Sequence, residues 1–364
     1  MAAQQRAEAA RPGDRTILSN LGIALREAGR LEESAATFDR AIALAPEDPA
    51  LRWDRAQALL HLGRYAEGWA DYEARLAMPG TPLRPPPEPA WRGESLAGKT
   101  ILLVGEQGFG DTILAARYVP LLKEAGARVV VQCRAELERL LRTLDGIDEV
   151  AVARRDPPTR CDVSIVMMSL PGRLGTRTGT IPPPARFAIP ASEIERWRAR
   201  LAGPPRCLRV GIVWSGSTTF RGNRQRALPL EAFLPLLRLG FVRLYSLQKG
   251  PPEAELDGLA AKSLIEPLGP SLGDFLDTAA ALHHLDLVVM TDSGTAHLAA
   301  TLGRPVWNLL SFLPYWLYGP SGETTPWYPT MRLFRQKRPG DWAAVFDAVL
   351  PALAALRDAR QHAR

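Results

Sequence analysis

MTDSGTAHLAATLGRPV, residues 290–306, decides how this chain folds. An apolar strand end runs into Asp-Ser-Gly-Thr and then into a stretch that reads as helix. Asp292 or Ser293 can cap that helix, and Gly294 at its first position lets a ligand approach the backbone closely. The free N–H groups and positive dipole end of a helix suit an anion such as a phosphate. A strand leading into such a turn is also where open α/β sheets bind ligands. His297, one of only five histidines, follows one turn later. The same residues also suit a plain capped turn that holds nothing, so the rest of the chain has to decide.

Working outward, strand and helix patterns alternate. Strands are predicted at 208–214, 242–247, 286–291 and 305–310, with helices at 230–238, 274–283 and 294–302. An earlier alternation has strands at 100–104, 128–132, 148–152 and 162–166, with a helix over 112–125 after a glycine-rich turn. Alternation of this kind argues for parallel α/β sheets. The prolines of IPPPARFAIP, residues 181–190, separate two such units, at 94–185 and 186–340, and predict a cleft between them. The last stretch, 341–364, reads as one amphipathic helix that Pro351 should kink.

The first 80 residues differ in kind. At an offset of 34 residues, Ala24/Ala58, Leu25/Leu59, Gly29/Gly63, Arg30/Arg64 and Glu33/Glu67 are identities, and Phe38 aligns with Tyr72. The period and the pattern Leu21-Gly22, Ala24, Gly29, Phe38, Ala41, Pro46 resemble the tetratricopeptide helix-turn-helix unit. Units fall at 15–48 and 49–78, preceded by a partial helix at 2–11. In the second unit Arg55, Gly68 and Arg75 replace the expected Leu, Ala and Ala. The prolines of 81–93 then predict a stiff linker.

Composition narrows the function classes. Hydrophobic residues make up 46% and charged residues 23%, as in an ordinary globular protein, and no apolar run approaches the ~18–20 residues of a membrane span. The start, MAAQQRAEAARPGDR, has no apolar segment of the secretory kind, so a cytoplasmic chain is expected. Cys133, Cys161 and Cys207 are too dispersed for a metal or disulfide framework and read as buried thiols. The net charge of +6 comes from scattered arginines, with no basic run interleaved with aromatics, so nucleic acid is not an expected partner.

Three further stretches carry possible chemistry. In VGEQGFGDTI, Gly105, Gly108 and Gly110 precede Asp111 at a helix start. Their GxxGxG spacing is not the GxGxxG of a dinucleotide site, and Asp111 is on its face a cap. Arg221, Arg224 and Arg226 sit in a loop at a strand's carboxyl end, where guanidinium groups can hold a diphosphate or simply stay solvated. Gln248 and Lys249 end the next strand, in YSLQKG.

Together GEQGFGDTI, WSGS with RALPL, SLQKG, DSGTAHLAATLGRPV and PWYPTMRLFRQ make the chain resemble bacterial proteins that join tetratricopeptide repeats to a glycosyltransferase of the GT-B fold. That catalytic part is similar to ADP-heptose:lipopolysaccharide heptosyltransferases and, more distantly, to O-linked N-acetylglucosamine transferases. The resemblance implies two Rossmann-like domains facing a cleft, with an all-α tetratricopeptide segment in front. It makes Asp111 the candidate general base, with Gln107, Gly108 and Gly110 in the acceptor-side loop. Arg226, Gln248, Lys249, Asp292, Ser293, Gly294, Thr295 and His297 would bind the nucleotide sugar, Arg226 as the phosphate cation. Phe220 and Asn223 stand where members often carry His and Asp.

In the implied reaction a nucleoside-diphosphate sugar loses its nucleotide through an oxocarbenium-like transition state, and fixed positive ends meet the charge growing on the phosphate. No acidic metal motif is present, so neither a metal nor another cofactor is expected. The reading is an inverting transfer to a protein or glycan acceptor, with the repeats available to a protein partner. Two rivals share the fold: a non-catalytic tetratricopeptide scaffold and a GT-B sugar epimerase.

Overall fold

The computed structural model describes residues 2–11, 13–79, 88–106, 108–156, 160–202, 207–220, 222–260 and 262–362. Five helices come first: α1 (Ala2–Ala10), α2 (Arg15–Glu27), α3 (Leu31–Leu44), α4 (Pro49–His61) and α5 (Tyr65–Tyr72), followed by a 3-10 turn at Glu73–Ala77. The Asp14 carboxylate accepts from the backbone N–H groups of Thr16 and Ile17 to start α2. Asp48 caps α4 in the same way, with Pro49 at its first position. The 34-residue repeat is visible in the backbone, since Gly29 and Gly63 both turn the chain at φ +75°. Small residues let the paired helices cross closely: a Cβ on Gly22 would stand 2.7 Å from Phe38, and one on Gly68 2.7 Å from Leu60.

The first α/β half contains β1 (Thr100–Val104), α6 (Phe109–Ala115), α7 (Val119–Glu124), β2 (Arg128–Cys133), α8 (Ala135–Leu141), β3 (Glu149–Val152), β4 (Val163–Val166) and α9 (Leu170–Arg173). Its parallel sheet runs β3-β2-β1-β4. The single helix expected over 112–125 is instead α6, a 3-10 turn at Ala116–Tyr118 and α7, because Pro120 lacks the N–H an unbroken helix would use.

The second half contains α10 (Ala191–Arg198), β5 (Leu208–Val213), α11 (Asn223–Arg226), β6 (Val242–Ser246), β7 (Ile265–Pro267), α12 (Phe275–Leu282), β8 (Leu287–Thr291), α13 (Gly294–Thr301), β9 (Val306–Leu310), β10 (Met331–Arg335) and α14 (Trp342–His362). Its parallel sheet runs β10-β9-β8-β5-β6-β7. The helix expected at 230–238 is a 3-10 segment, Leu230–Leu239, with Pro235 inside it. α14 continues through Pro351 as one helix. The second sheet begins later than the proline-rich joint suggests, because Ala188 N–H still donates to Thr143 O (2.9 Å) of the first half.

The predicted linker 81–93 lies partly outside the described residues, which resume at Glu88. There Trp91 is buried and its backbone N–H donates to Ser164 O (2.8 Å) of β4. Upstream, Tyr65, Trp69 and Tyr72 share one continuous core with both halves, whereas Leu18, Phe38, Ala41 and Leu51 form a separate small cluster. Trp69 lies edge-on to Trp316 (5.2 Å), and its indole N–H donates to Thr176 O (3.1 Å). The Trp327 indole N–H donates to the Tyr65 hydroxyl (3.0 Å). No described helix is long and apolar enough to cross a membrane. Cys133 and Cys161 are buried and Cys207 is partly buried, and no disulfide joins them among the described residues.

Candidate functional site

In each sheet the chain order reverses beside one strand, and ligands of open parallel sheets bind outside the carboxyl ends at that reversal. In the second sheet it falls between β5 and β8, paired in register Val213↔Met290. Asp292 follows β8 and is 8% exposed. Its Oδ1 accepts from the Tyr318 hydroxyl (2.6 Å), and its Oδ2 faces Arg226 Nη1 at 3.4 Å. Held this way, the carboxylate does not cap α13. Ser293 occupies the cap position in extended backbone, and its buried Oγ has no partner among the described residues. Gly294 and Thr295 are half-buried at the helix start.

Arg226 is aimed by its own loop. The Asn223 side-chain oxygen accepts from Gly216 N–H (3.0 Å) and from Arg226 Nε (3.3 Å), while its amide donates to Ser215 Oγ (3.0 Å). The guanidinium lies over the exposed Phe220 ring at 4.8 Å, and a Cβ on Gly216 would stand 2.5 Å from Arg226 Nη2. The residues that depart from the family pattern, Phe220 and Asn223, are thus those that orient this cation. Arg224 is exposed, and Arg221 lies outside the described residues.

Gln248 is buried, and backbone engages its whole amide. Its Oε1 accepts from the N–H groups of Trp214 (3.1 Å) and Ser215 (2.9 Å), and its Nε2 donates to the carbonyls of Ser215 and Lys249. It therefore ties the end of β6 to that of β5, with both polar atoms of its side chain engaged. Lys249 donates to Gly269 O (2.9 Å). A cavity of about 440 Å³ lies beside them, lined by Ser246, Gly250, Glu253, Ile265 and Gly269.

In the first sheet the reversal falls beside β1, between β2 and β4. Gly108 holds the cap position of α6, where a Cβ would stand 2.3 Å from Asp111 Oδ2, so the carboxylate needs a glycine there. Among the described residues Asp111 accepts no capping hydrogen bond from backbone. Its Oδ1 lies 3.5 Å from the Tyr315 hydroxyl. Burial, then the neighbouring carboxylates of Glu106 and Asp292, push its carboxyl up to about 7, against the opposing pull of Arg75 and Tyr315. Gln107 lies outside the described residues.

The two halves meet at these turns. A Cβ on Gly110 would stand 2.6 Å from the His297 ring, and one on Gly294 3.2 Å from Phe109 Cβ. His297 Nδ1 pairs with the Tyr328 hydroxyl (3.0 Å), and burial pushes the imidazole down to about 4, so it is neutral at pH 7. Gly110→Ala is expected to wedge the halves apart at His297 and cost roughly 1–3 kcal/mol, the usual range for overpacking. Urea unfolding measures this, and an unchanged midpoint would show that the contact yields freely.

Glu106, Tyr72, Arg75, Tyr315, Tyr318 and Tyr328 belong to this site without having been picked from the sequence. Two signals were present: Glu106 adjoins the glycine turn, and Arg75 breaks the repeat pattern. The tyrosines carry no spacing that marks them.

Comparison with known proteins agrees with this architecture. Residues 2–49 and 19–81 match the tetratricopeptide repeat, and residues 268–336 match glycosyltransferase family 9 (heptosyltransferase). Protein FlbA of Caulobacter vibrioides is 28% identical over 361 residues, covering 92% of this chain, and the chain spans 60% of that relative's length. Among solved structures, E. coli ADP-heptose LPS heptosyltransferase II superposes with a TM-score of 0.51 at 15% identity, over 72% of this chain and 99% of that one. The glycosyl transferase family 9 protein of Veillonella parvula gives 0.50 at 14% identity, over 68% and 88%. The chain is accordingly a tetratricopeptide segment joined to a GT-B fold similar to that of the family 9 glycosyltransferases.

Proposed function

We propose that the protein transfers a sugar from a nucleoside-diphosphate sugar to a hydroxyl of a protein or glycan acceptor, with inversion and without a metal. The observation that supports this reading is the approach, where the two halves meet, of a buried carboxyl poised near neutrality, Asp111, to a turn built from Arg226, Ser293 and the start of α13. The diphosphate would lie at the α13 N-terminus, against the unpartnered Ser293 hydroxyl, Thr295 and Arg226, where charge growing on the leaving phosphate meets fixed positive ends. Asp292 repels phosphate, so its part is to accept a hydrogen bond from a donor hydroxyl, with Tyr318 fixing its orientation. Neutral His297 can donate to the sugar or the diphosphate. Asp111, from the opposite half, takes the acceptor's proton as its oxygen attacks. The tetratricopeptide segment would present a protein partner or acceptor, and three cysteines with no disulfide among the described residues suit a reducing, cytoplasmic setting.

A thermal-shift panel of nucleotide sugars and free nucleoside diphosphates tests the reading, since a ligand at ~100 times its dissociation constant adds about 2.7 kcal/mol. A stabilising donor is then offered alone and with acceptors, with and without chelator. Transfer supports the proposal. Binding without turnover supports a scaffold, and interconversion of the donor sugar without an acceptor supports an epimerase. Arg226→Ala is expected to weaken free nucleoside diphosphate and sugar nucleotide alike by roughly 1.5–3 kcal/mol, the loss of one charged hydrogen-bonding partner. Unchanged calorimetric affinities would remove Arg226 from the site.

A further inference from the structure

We propose that the tetratricopeptide segment is a working part of the transfer site: Arg75 and Tyr72, from its last turn, position the two groups that flank Asp111, namely Glu106 and Tyr315. This rests on the reading of Asp111 as the base. Arg75 stands where the repeat calls for alanine, and its side chain is only 7% exposed. Its Nη2 donates to Glu106 Oε1 (2.6 Å) and Ser169 Oγ (3.0 Å), and its Nε to Glu106 Oε2 (3.2 Å). Its Nη1 donates to Tyr72 O (3.1 Å) and Glu73 Oε1 (3.0 Å). Glu106 also accepts from Met168 N–H (3.1 Å), so one guanidinium joins the loop after β1 to the turn after β4. Tyr72, beneath that guanidinium at 4.4 Å, interacts electrostatically with Tyr315, whose own hydroxyl faces Asp111 at 3.5 Å.

Docking alone does not call for this arrangement. Tyr65, Trp69, Trp316 and Trp327 already bury the contact between repeats and body, and a buried ion pair adds little stability over apolar packing. What the pair does is electrostatic. Unpaired, Glu106 would oppose ionisation of Asp111, whereas Arg75 compensates it and leaves the base able to lose its proton. The other groups around Asp111 are Asp292 with Arg226 and Tyr318, His297 against Gly110, and Tyr328 behind His297. None of them comes from the repeats.

Carbon-13 NMR of the full chain labelled at the aspartate carboxyl carbon reads Asp111 directly, its resonance assigned by its loss in Asp111→Asn. The wild type should titrate near 7. Arg75→Met should raise that midpoint by about one unit or more, and Glu106→Gln should lower it by about as much. The double variant should return it close to the wild-type value, and Tyr72→Phe should raise it by less. If Arg75→Met fails to fold, Glu106→Gln and the double variant decide. Midpoints that stay put in the folded variants overturn the proposal. The titration needs no substrate, so failure of the transfer reading, seen as normal turnover by Asp111→Asn, is distinguishable from failure of this one.

Discussion

Replacing Asp111 with Asn is expected to lower turnover by roughly 100-fold or more while leaving nucleotide-sugar affinity nearly intact, the usual cost of losing a general base and the outcome that the proposed role requires. The carboxylate belongs to the first α/β half and Arg226 and Ser293 to the second, so on the proposed reading its loss should touch the attacking oxygen and not the phosphates. Wild-type kcat/KM should fall on the acid side of about pH 7 as Asp111 takes up its proton. Stability moves the other way. The folded carboxyl titrates near 7 against an ordinary 3.8, so between those values the folded state binds more protons than the unfolded one. The stability this provides is complete below the unfolded value and is lost as pH rises through 7. Asn carries no such charge, and Asp111→Asn should therefore be more stable than the wild type at pH 8, by on the order of 4 kcal/mol. Equal denaturation midpoints at pH 5 and pH 8, together with normal turnover, would return Asp111 to a passive place at the start of α6.

Trp69→Ala should cost roughly 3–5 kcal/mol, the range for emptying a buried tryptophan site. The indole is 4% exposed and meets Tyr65, Tyr72, Trp316 and Trp327. A Cβ on Gly172 would stand 2.9 Å from Trp69 Cβ, so the backbone of α9 presses directly against it. Because each repeat buries its apolar face only against a neighbour, and the second repeat's neighbour is the α/β body, the loss should be felt by both. Urea unfolding of Trp69→Ala followed by tyrosine and tryptophan signals should show one weakened transition. An excised 1–80 fragment should be largely unfolded or self-associated. A cooperative melt of a monomeric, helical fragment would show that the repeats stand alone and would sink the docking argument.

The elements that sequence reading located are those with a local signature. Strands at 100–104, 242–246 and 306–310 announce themselves as aliphatic and β-branched runs, and the paired turns at Gly29 and Gly63 by a period. β7 and β10 had no such signature. β7 is three residues ending in proline, and β10, on the sheet's other edge, carries arginines between its apolar positions. Gln248 sits at the strand end where the sequence puts it, but that its amide is held by backbone is not legible there, because the partner, Ser215, lies 33 residues away.

By itself the sequence determined the two strand-turn-helix units that present Asp111 and the 292–297 turn, and the repeat that precedes them. Helix and strand periodicity, capping and glycine turns act within a few residues along the chain, so they can be read without knowing what packs where. Only the tertiary structure decided that the repeats' Arg75 and Tyr72 reach Glu106 and Tyr315, that Tyr318 fixes Asp292, and that His297 closes on Gly110. Those partners come from different elements whose meeting is set by which apolar faces bury one another. That is a property of the packed core, which no spacing along the chain records.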